Sequence, residues 1–118
     1  TLARPKEAED PERENPNRVK VTCDLNGSAL YFSRSPIPSS PGPWLEHVGL
    51  YAFSRGALEA LTLLHATELE KRERLEQLRW LEHGWKIAVG RTRHLTHAVD
   101  TPQDLIQLRS LLEGGELD

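Results

Sequence analysis

Apolar positions along this chain follow two rhythms. Val19, Val21 and Cys23 alternate with Lys20, Thr22 and Asp24, the period of two expected of a strand over residues 19–25 with one buried face. Asn26-Gly27 tolerates positive φ at both central positions of a tight turn, and the β-prone Ala29-Leu30-Tyr31-Phe32 follows, so the pair reads as a hairpin. Residues 35–43 then hold four prolines with Ser39, Ser40 and Gly42 among them, which predicts an exposed loop. The run Val48-Gly49-Leu50-Tyr51-Ala52-Phe53 is nearly continuous in apolar residues and reads as a strand covered on both faces.

A helical rhythm comes next. Ser54 is a suitable N-cap for Leu58, Leu61 and Leu64 on a helix running towards Ala66. Thr67 opens a second helix, on which Leu75, Leu78 and Leu81 form an i, i+3, i+6 stripe that Gly84 terminates. Residues 85–89 and 95–99 read as strands. Thr101-Pro102-Gln103-Asp104 combines a cap, a proline at the first helical position and an acidic third residue, ahead of Leu105, Leu108 and Leu111 or Leu112. Residues 6–18 are dense in charge and proline with almost nothing to bury, so they read as a loop or linker, with order beginning after them. The whole is an α/β pattern with too few strands to cover its helices, which fits one half of a three-layer domain.

Composition narrows the partners. Fifteen Lys and Arg against eighteen Asp and Glu give a net charge of −3, with the two signs interspersed, so no field exists to hold nucleic acid. No apolar run approaches the ~20 residues of a membrane-spanning helix, and no membrane partner is expected. The lone Cys23 allows no internal disulfide, which points to a reducing, cytoplasmic compartment and to a packed core thiol. The chain begins at Thr1 and contains no Met, so either an initiator has been removed or the protein starts further upstream.

Several side chains could carry chemistry. Glu73 and Gln77 are four apart on the second predicted helix and, at about 100° per residue, share a face; a solvated flank is the plainer reading. Asp100 lies where an apolar strand gives way to a helix, a place where α/β sheets gather ligands, so it could hold a cation or merely support the helix N-terminus. His47 precedes the apolar run and could meet a substrate oxygen or serve structure alone. Arg34 could grip a carboxylate in bidentate fashion or cap the hairpin. The remaining histidines show no zinc-type spacing with Cys23, and no Walker loop, GxSxG or GxGxxG is present.

Six blocks, taken in order, carry a family pattern: Asn15-Pro16-Asn17 with Val19-Lys20-Val21; Ala29 through Pro38; His47-Val48-Gly49-Leu50-Tyr51-Ala52-Phe53; Leu69-Glu70-Lys71 with Glu73; Leu75-Glu76-Gln77-Leu78-Arg79; and Val99-Asp100-Thr101-Pro102-Gln103-Asp104-Leu105. The chain resembles the C-terminal half of the 3-deoxy-manno-octulosonate cytidylyltransferases, or CMP-Kdo synthetases. The resemblance implies a nucleotide-diphospho-sugar transferase-like (Rossmann-like) fold with a mixed sheet and a β-hairpin. On it, residues 1–18 are the edge of the N-terminal half and a charged linker, and residues 19–118 the sugar-binding half. The implied reaction joins Kdo to the α-phosphorus of CTP with Mg²⁺, releasing pyrophosphate, for lipopolysaccharide synthesis by a cytoplasmic homodimer.

Carried over residue by residue, the resemblance makes Asp100 a magnesium carboxylate and places Arg34, His47, Tyr51, Glu73 and Gln77 around the sugar. It requires Asp100, His47 and Glu73 to converge on one open cleft. The family's nucleotide loop and its other magnesium motif, of the Gly-Asp-Glu-Pro type, are not found, so this chain is not expected to bind CTP alone, and its sheet should have a bare edge. Glu46 stands where the family has a basic residue, Ala98 replaces a glycine, and the loop from Pro36 to Trp44 is short. Two other readings remain open: a cytidylyltransferase for another acidic sugar such as a sialic acid, and a non-catalytic interaction domain of the same fold.

Overall fold

The structure, a computed structural model, describes residues 1–94 and 99–115. Five strands, β1 (Leu2–Lys6), β2 (Lys20–Cys23), β3 (Ala29–Ser33), β4 (Trp44–Val48) and β5 (Gly90–Arg91), form one sheet in the order β3-β2-β4-β1-β5. The β1–β5 pair is parallel and the other pairings are antiparallel, so the sheet is mixed. Four α-helices among the described residues accompany it: α1 (Arg55–Leu61), α2 (Glu68–Glu73), α3 (Gln77–Glu82) and α4 (Pro102–Glu113).

The hairpin forms, with positive φ at Gly27 but not at Asn26. Gly27 takes φ +83°, and the Asp24 carboxylate accepts from the backbone N–H groups of Asn26 and Ser28, both at 2.9 Å, which closes the turn between β2 and β3. Cross-strand register puts Val21 beside Phe32 and Leu45, and Ala3 beside His47, so these side chains share a face. That face builds the core, where Ala3, Val21 and Phe32 meet Leu75, Leu78, Ile87 and Val89. Cys23 packs against the same cluster, and burial pushes its thiol pKa up, as suits a packed thiol.

Alternation sends Lys6, Lys20, Ser33, Trp44 and Glu46 to the opposite face. The expectation of a disordered beginning fails here. Residues 2–6 are a strand between β4 and β5, and the charged stretch folds back over the polar face through a 3-10 turn at Pro11–Glu14. Trp44 Nε1 donates to the Glu7 carbonyl at 3.1 Å, and the buried Arg13 donates through Nη2 to the carbonyls of Pro38 and Ser40. Charges that have no apolar core to join are instead paired against a polar sheet face.

Three further expectations need correction. The strand lies at Trp44–Val48 and not at residues 48–53; beyond it Leu50 is 61% exposed, so the apolar run is not covered on both faces. The second helix is broken: α2 ends at Arg74, which adopts a left-handed φ of 57°, and α3 starts at Gln77. At residues 85–89 the inward alternation of Ile87 and Val89 holds, but regular pairing is confined to a Ser28–Ala88 bridge before β5 begins. The strand expected at 95–99 and the Ala98 replacement lie outside the described residues, apart from Val99, which belongs to no element.

The helix ends follow their signals better. Gly84 takes φ +86°, with Gly84 N–H donating to Leu81 O and Trp85 N–H to Trp80 O, the paired bonds of a Schellman stop. Thr101 and Asp104 form a reciprocal capping box at α4, with Pro102 between them at the first helical position, as read from sequence.

Candidate functional site

Three of the expected site residues reach one place. Arg34 follows β3, His47 lies on β4 and Asp100 precedes α4, and with Asn17, Arg18 and Glu46 they line an open cleft of about 300 Å³. Two neighbouring elements position them. Lys20, 0% exposed, donates from Nζ to the carbonyls of Asn15 and Arg34, both at 2.7 Å, tying the loop before β2 to the end of β3. Burial lowers the Lys20 pKa, and two carbonyl acceptors satisfy what an unpaired ammonium would leave open.

His47 is held on the core side of the sheet, its ring edge-on to Phe32 at 5.0 Å between centroids and 5.4 Å from Tyr51. Burial lowers its pKa to about 4, so the ring is neutral at pH 7. Its Nε2 is 2.9 Å from Thr1 Oγ1, whose single hydroxyl proton has the Leu50 carbonyl at 2.7 Å as its shortest acceptor. Nε2 is therefore assigned as the donor to the threonine oxygen, which leaves Nδ1 as an acceptor.

Glu73 does not join this cleft. Its Oε1 accepts from Tyr31 Oη at 3.2 Å and Ser33 Oγ at 3.4 Å, and its Oε2 from the Arg34 N–H at 3.0 Å, so the carboxylate faces the hairpin. The convergence of Asp100, His47 and Glu73 is thus met by the first two alone. Glu73 lines an adjoining hollow of about 400 Å³ with Tyr31, Arg72 and Arg74, and Arg34 borders both spaces.

Arg34 is committed to backbone at all three guanidinium nitrogens: Nε to Glu73 O at 2.9 Å, Nη1 to Pro16 O at 3.0 Å and Nη2 to Arg74 O at 3.2 Å. It thereby caps the carbonyls that the break after α2 exposes, where neither Gly nor Pro forewarns of a helix end.

The break also separates Glu73 and Gln77, which share no continuous helix, and Gln77 is buried at the start of α3. Tyr51 lies in an aromatic pocket of about 250 Å³, edge-on to Trp80 at 5.2 Å and stacked on Phe53 at 5.9 Å. Its buried hydroxyl has no hydrogen-bond partner among the described residues, and burial raises its pKa. An unsatisfied buried hydroxyl is costly and is relieved when a ligand oxygen reaches it.

Sequence reasoning missed Arg18, Lys20 and the environment of Glu46. Lys20 occupied the outward position of an alternating strand, and Arg18 was hidden in a run of charge. The Asn-Pro-Asn block beside them was the available signal.

Asp100 lines the cleft, and its carboxylate accepts no hydrogen bond among the described residues. Among those residues, no group of three or more His, Cys, Asp and Glu side chains is placed to hold a metal ion, and no helix is long and apolar enough to cross a membrane.

A family model described as cytidylyltransferase matches residues 5–87, which include Arg34, His47, Tyr51, Glu73 and Gln77. The chain belongs to the cytidylyltransferase family. Among curated proteins, the chain is 46% identical over 112 residues to the 3-deoxy-manno-octulosonate cytidylyltransferase of Xylella fastidiosa (strain 9a5c), covering 84% of the chain and 44% of that protein. It is 49% identical over 118 residues to the one of Chloroherpeton thalassium, covering 95% and 48%. A solved structure of CMP:2-keto-3-deoxy-manno-octonic acid synthetase complexed with CTP superposes with a TM-score of 0.87 at 37% identity, over 99% of this chain and 49% of the other. The α/β fold with its mixed sheet and hairpin is therefore that of a cytidylyltransferase, and the chain spans about half the length of the curated relatives it matches.

Proposed function

We propose that the protein containing this chain is a cytidylyltransferase that activates Kdo with CTP, and that this chain contributes the sugar-binding half. The observation that carries the reading is the cleft in which Arg34, His47 and Asp100 meet within a chain so similar to named 3-deoxy-manno-octulosonate cytidylyltransferases. In the reaction, the anomeric hydroxyl oxygen of the sugar bonds to the α-phosphorus of CTP. The α–β phosphoanhydride bond breaks, pyrophosphate departs, and the hydroxyl proton passes to solvent or a nearby base. Alignment and charge neutralisation dominate such transfers, so the protein needs no covalent intermediate.

The contacts described above support the following roles. Neutral His47 offers Nδ1 to a sugar hydroxyl, and the Tyr51 hydroxyl takes another once the sugar reaches it. Arg34, with two N–H bonds beyond those given to carbonyls, lends positive charge to the sugar carboxylate. Glu73 and Gln77 shape the wall formed by the hairpin and α3. Asp100 would hold Mg²⁺, an ion content with one or two protein carboxylates when substrate phosphates supply further oxygens; when bound it would neutralise charge on the nucleotide. The same reading makes the protein a cytoplasmic homodimer of lipopolysaccharide synthesis, whose remaining half supplies the nucleotide site.

Pyrophosphate release with CTP, Kdo and Mg²⁺ tests this, using the complete reading frame that contains the chain. Turnover is expected with Kdo over N-acetylneuraminate, falling about 100-fold or more in Asp100→Asn. A folded protein inactive with both sugars would discard the catalytic reading in favour of an interaction domain. Preference for N-acetylneuraminate would change the substrate, and full activity of Asp100→Asn would remove the metal assignment.

A further inference from the structure

Arg18 lines the same cleft, and its hydrogen bonding differs from that of Arg34. Its Nε donates to Glu12 Oε2 at 3.0 Å and lies 3.6 Å from Glu46 Oε1. Both contacts use one nitrogen. The four N–H donors on Nη1 and Nη2 have no partner among the described residues, and the side chain is 26% exposed where it lines the cleft.

The carboxylates that hold Nε are themselves held. Glu46 is 8% exposed on β4, with Oε2 3.8 Å from Lys6 Nζ, and Glu12 accepts from Asn15 Nδ2 at 2.9 Å. The guanidinium is thus anchored at its inner nitrogen while the outer fork stays available. A planar fork matches a carboxylate through two parallel N–H···O bonds.

Charge in the cleft favours a single negative group over a polyphosphate. Arg18 and Arg34 line it together with Glu46 and Asp100; Lys6 Nζ lies 3.8 Å from Glu46, and Asp104 also acts on Arg18. A nucleotide triphosphate on this wall would meet two carboxylates, whereas one carboxylate can lie on the Arg18 fork.

We propose that Arg18 is a ligand-binding cation of this cleft, receiving the carboxylate of the acidic sugar through Nη1 and Nη2, with Glu12 and Glu46 as its positioning residues. This deepens the sugar-activating function and rests on it.

The complete protein, as wild type, Arg18→Ala, Arg18→Lys and Glu46→Gln, tests the assignment by calorimetry with Kdo without nucleotide and by steady-state pyrophosphate release. Arg18→Ala is expected to raise the Kd and KM for the sugar at least tenfold while the KM for CTP stays within twofold. Arg18→Lys keeps charge without the fork and recovers part of the loss, and Glu46→Gln gives an intermediate rise. A rise in the KM of CTP alone would make Arg18 a phosphate contact and overturn the carboxylate assignment. Unchanged sugar constants in folded Arg18→Ala would overturn the proposal outright; were that variant unfolded, unchanged constants in both other variants would do the same. If wild type releases no pyrophosphate from CTP with Kdo, the parent reading fails separately. Calorimetry with N-acetylneuraminate then still reports on Arg18, whose role survives only if Arg18→Ala abolishes binding of that carboxylate seen in wild type; inorganic phosphate bound in its place would overturn it.

Discussion

Arg34 and Glu73 hold each other at two points: the Arg34 backbone N–H donates to the Glu73 carboxylate at 3.0 Å, and the Arg34 Nε donates to the Glu73 carbonyl at 2.9 Å. One contact orders the acid and the other ends its helix. Arg34→Ala should therefore destabilise the protein by about 2–3 kcal/mol, since it strips partners from three carbonyls and loosens the α2 terminus. In a double-mutant cycle with Glu73→Ala, denaturant unfolding should give nearly additive losses, because each side chain bonds the other residue's main chain, which alanine leaves in place. A coupling of about 1 kcal/mol or more would instead mean that the two side chains act on each other directly.

His47 makes stability pH-dependent. Its folded pKa, lowered to about 4, lies below the value near 6.5 expected when unfolded, so the unfolded state binds the proton more readily. The contribution is complete above pH 6.5 and is lost as the pH falls towards 4, by roughly 2–3 kcal/mol. His47→Gln should flatten that part of the curve of unfolding free energy against pH. A curve of the same slope in the variant would assign the loss to other groups.

Lys20 offers a test of buried charge. Replacing it by Met keeps the length of the side chain but leaves the carbonyls of Asn15 and Arg34 without its ammonium. We expect a loss of about 2–4 kcal/mol in chemical unfolding, with a smaller affinity for the sugar because the Arg34 wall is released. Retention of both stability and affinity would show that water replaces the ammonium without effect.

Thr101→Ala should act locally. It removes the hydroxyl that accepts from the Asp104 N–H at 3.1 Å and half of the capping box, a loss of about 1 kcal/mol. Hydrogen exchange should quicken in the first turn of α4 before it changes in the sheet. Uniform acceleration across the chain would instead mark the cap as part of the global fold.

How much of this was legible in sequence depended on whether the signal was local. The turn at Gly27, the stop at Gly84 and the capping box at Thr101 each rest on residues within a few positions, and each was read correctly. The stripe of Leu75 and Leu78 also reached the core although the helix beneath it is broken. The break could not be seen, because the group that satisfies the Arg74 carbonyl comes from Arg34 on another element. The polar sheet face was invisible for the same reason: alternation identifies two faces without saying that charge will cover one of them. Of the candidate residues, Arg34, His47 and Asp100 line one cleft, whereas Glu73 was placed by a helical period that the chain abandons at Arg74.

The two acceptors of Lys20 belong to the main chain. Every amino acid carries the same carbonyl, so no exchange of a partner side chain can restore what is lost at position 20. In a genetic selection, loss of Lys20 should consequently yield no allele-specific suppressors at residues 15 or 34, and any revertants should strengthen the protein globally.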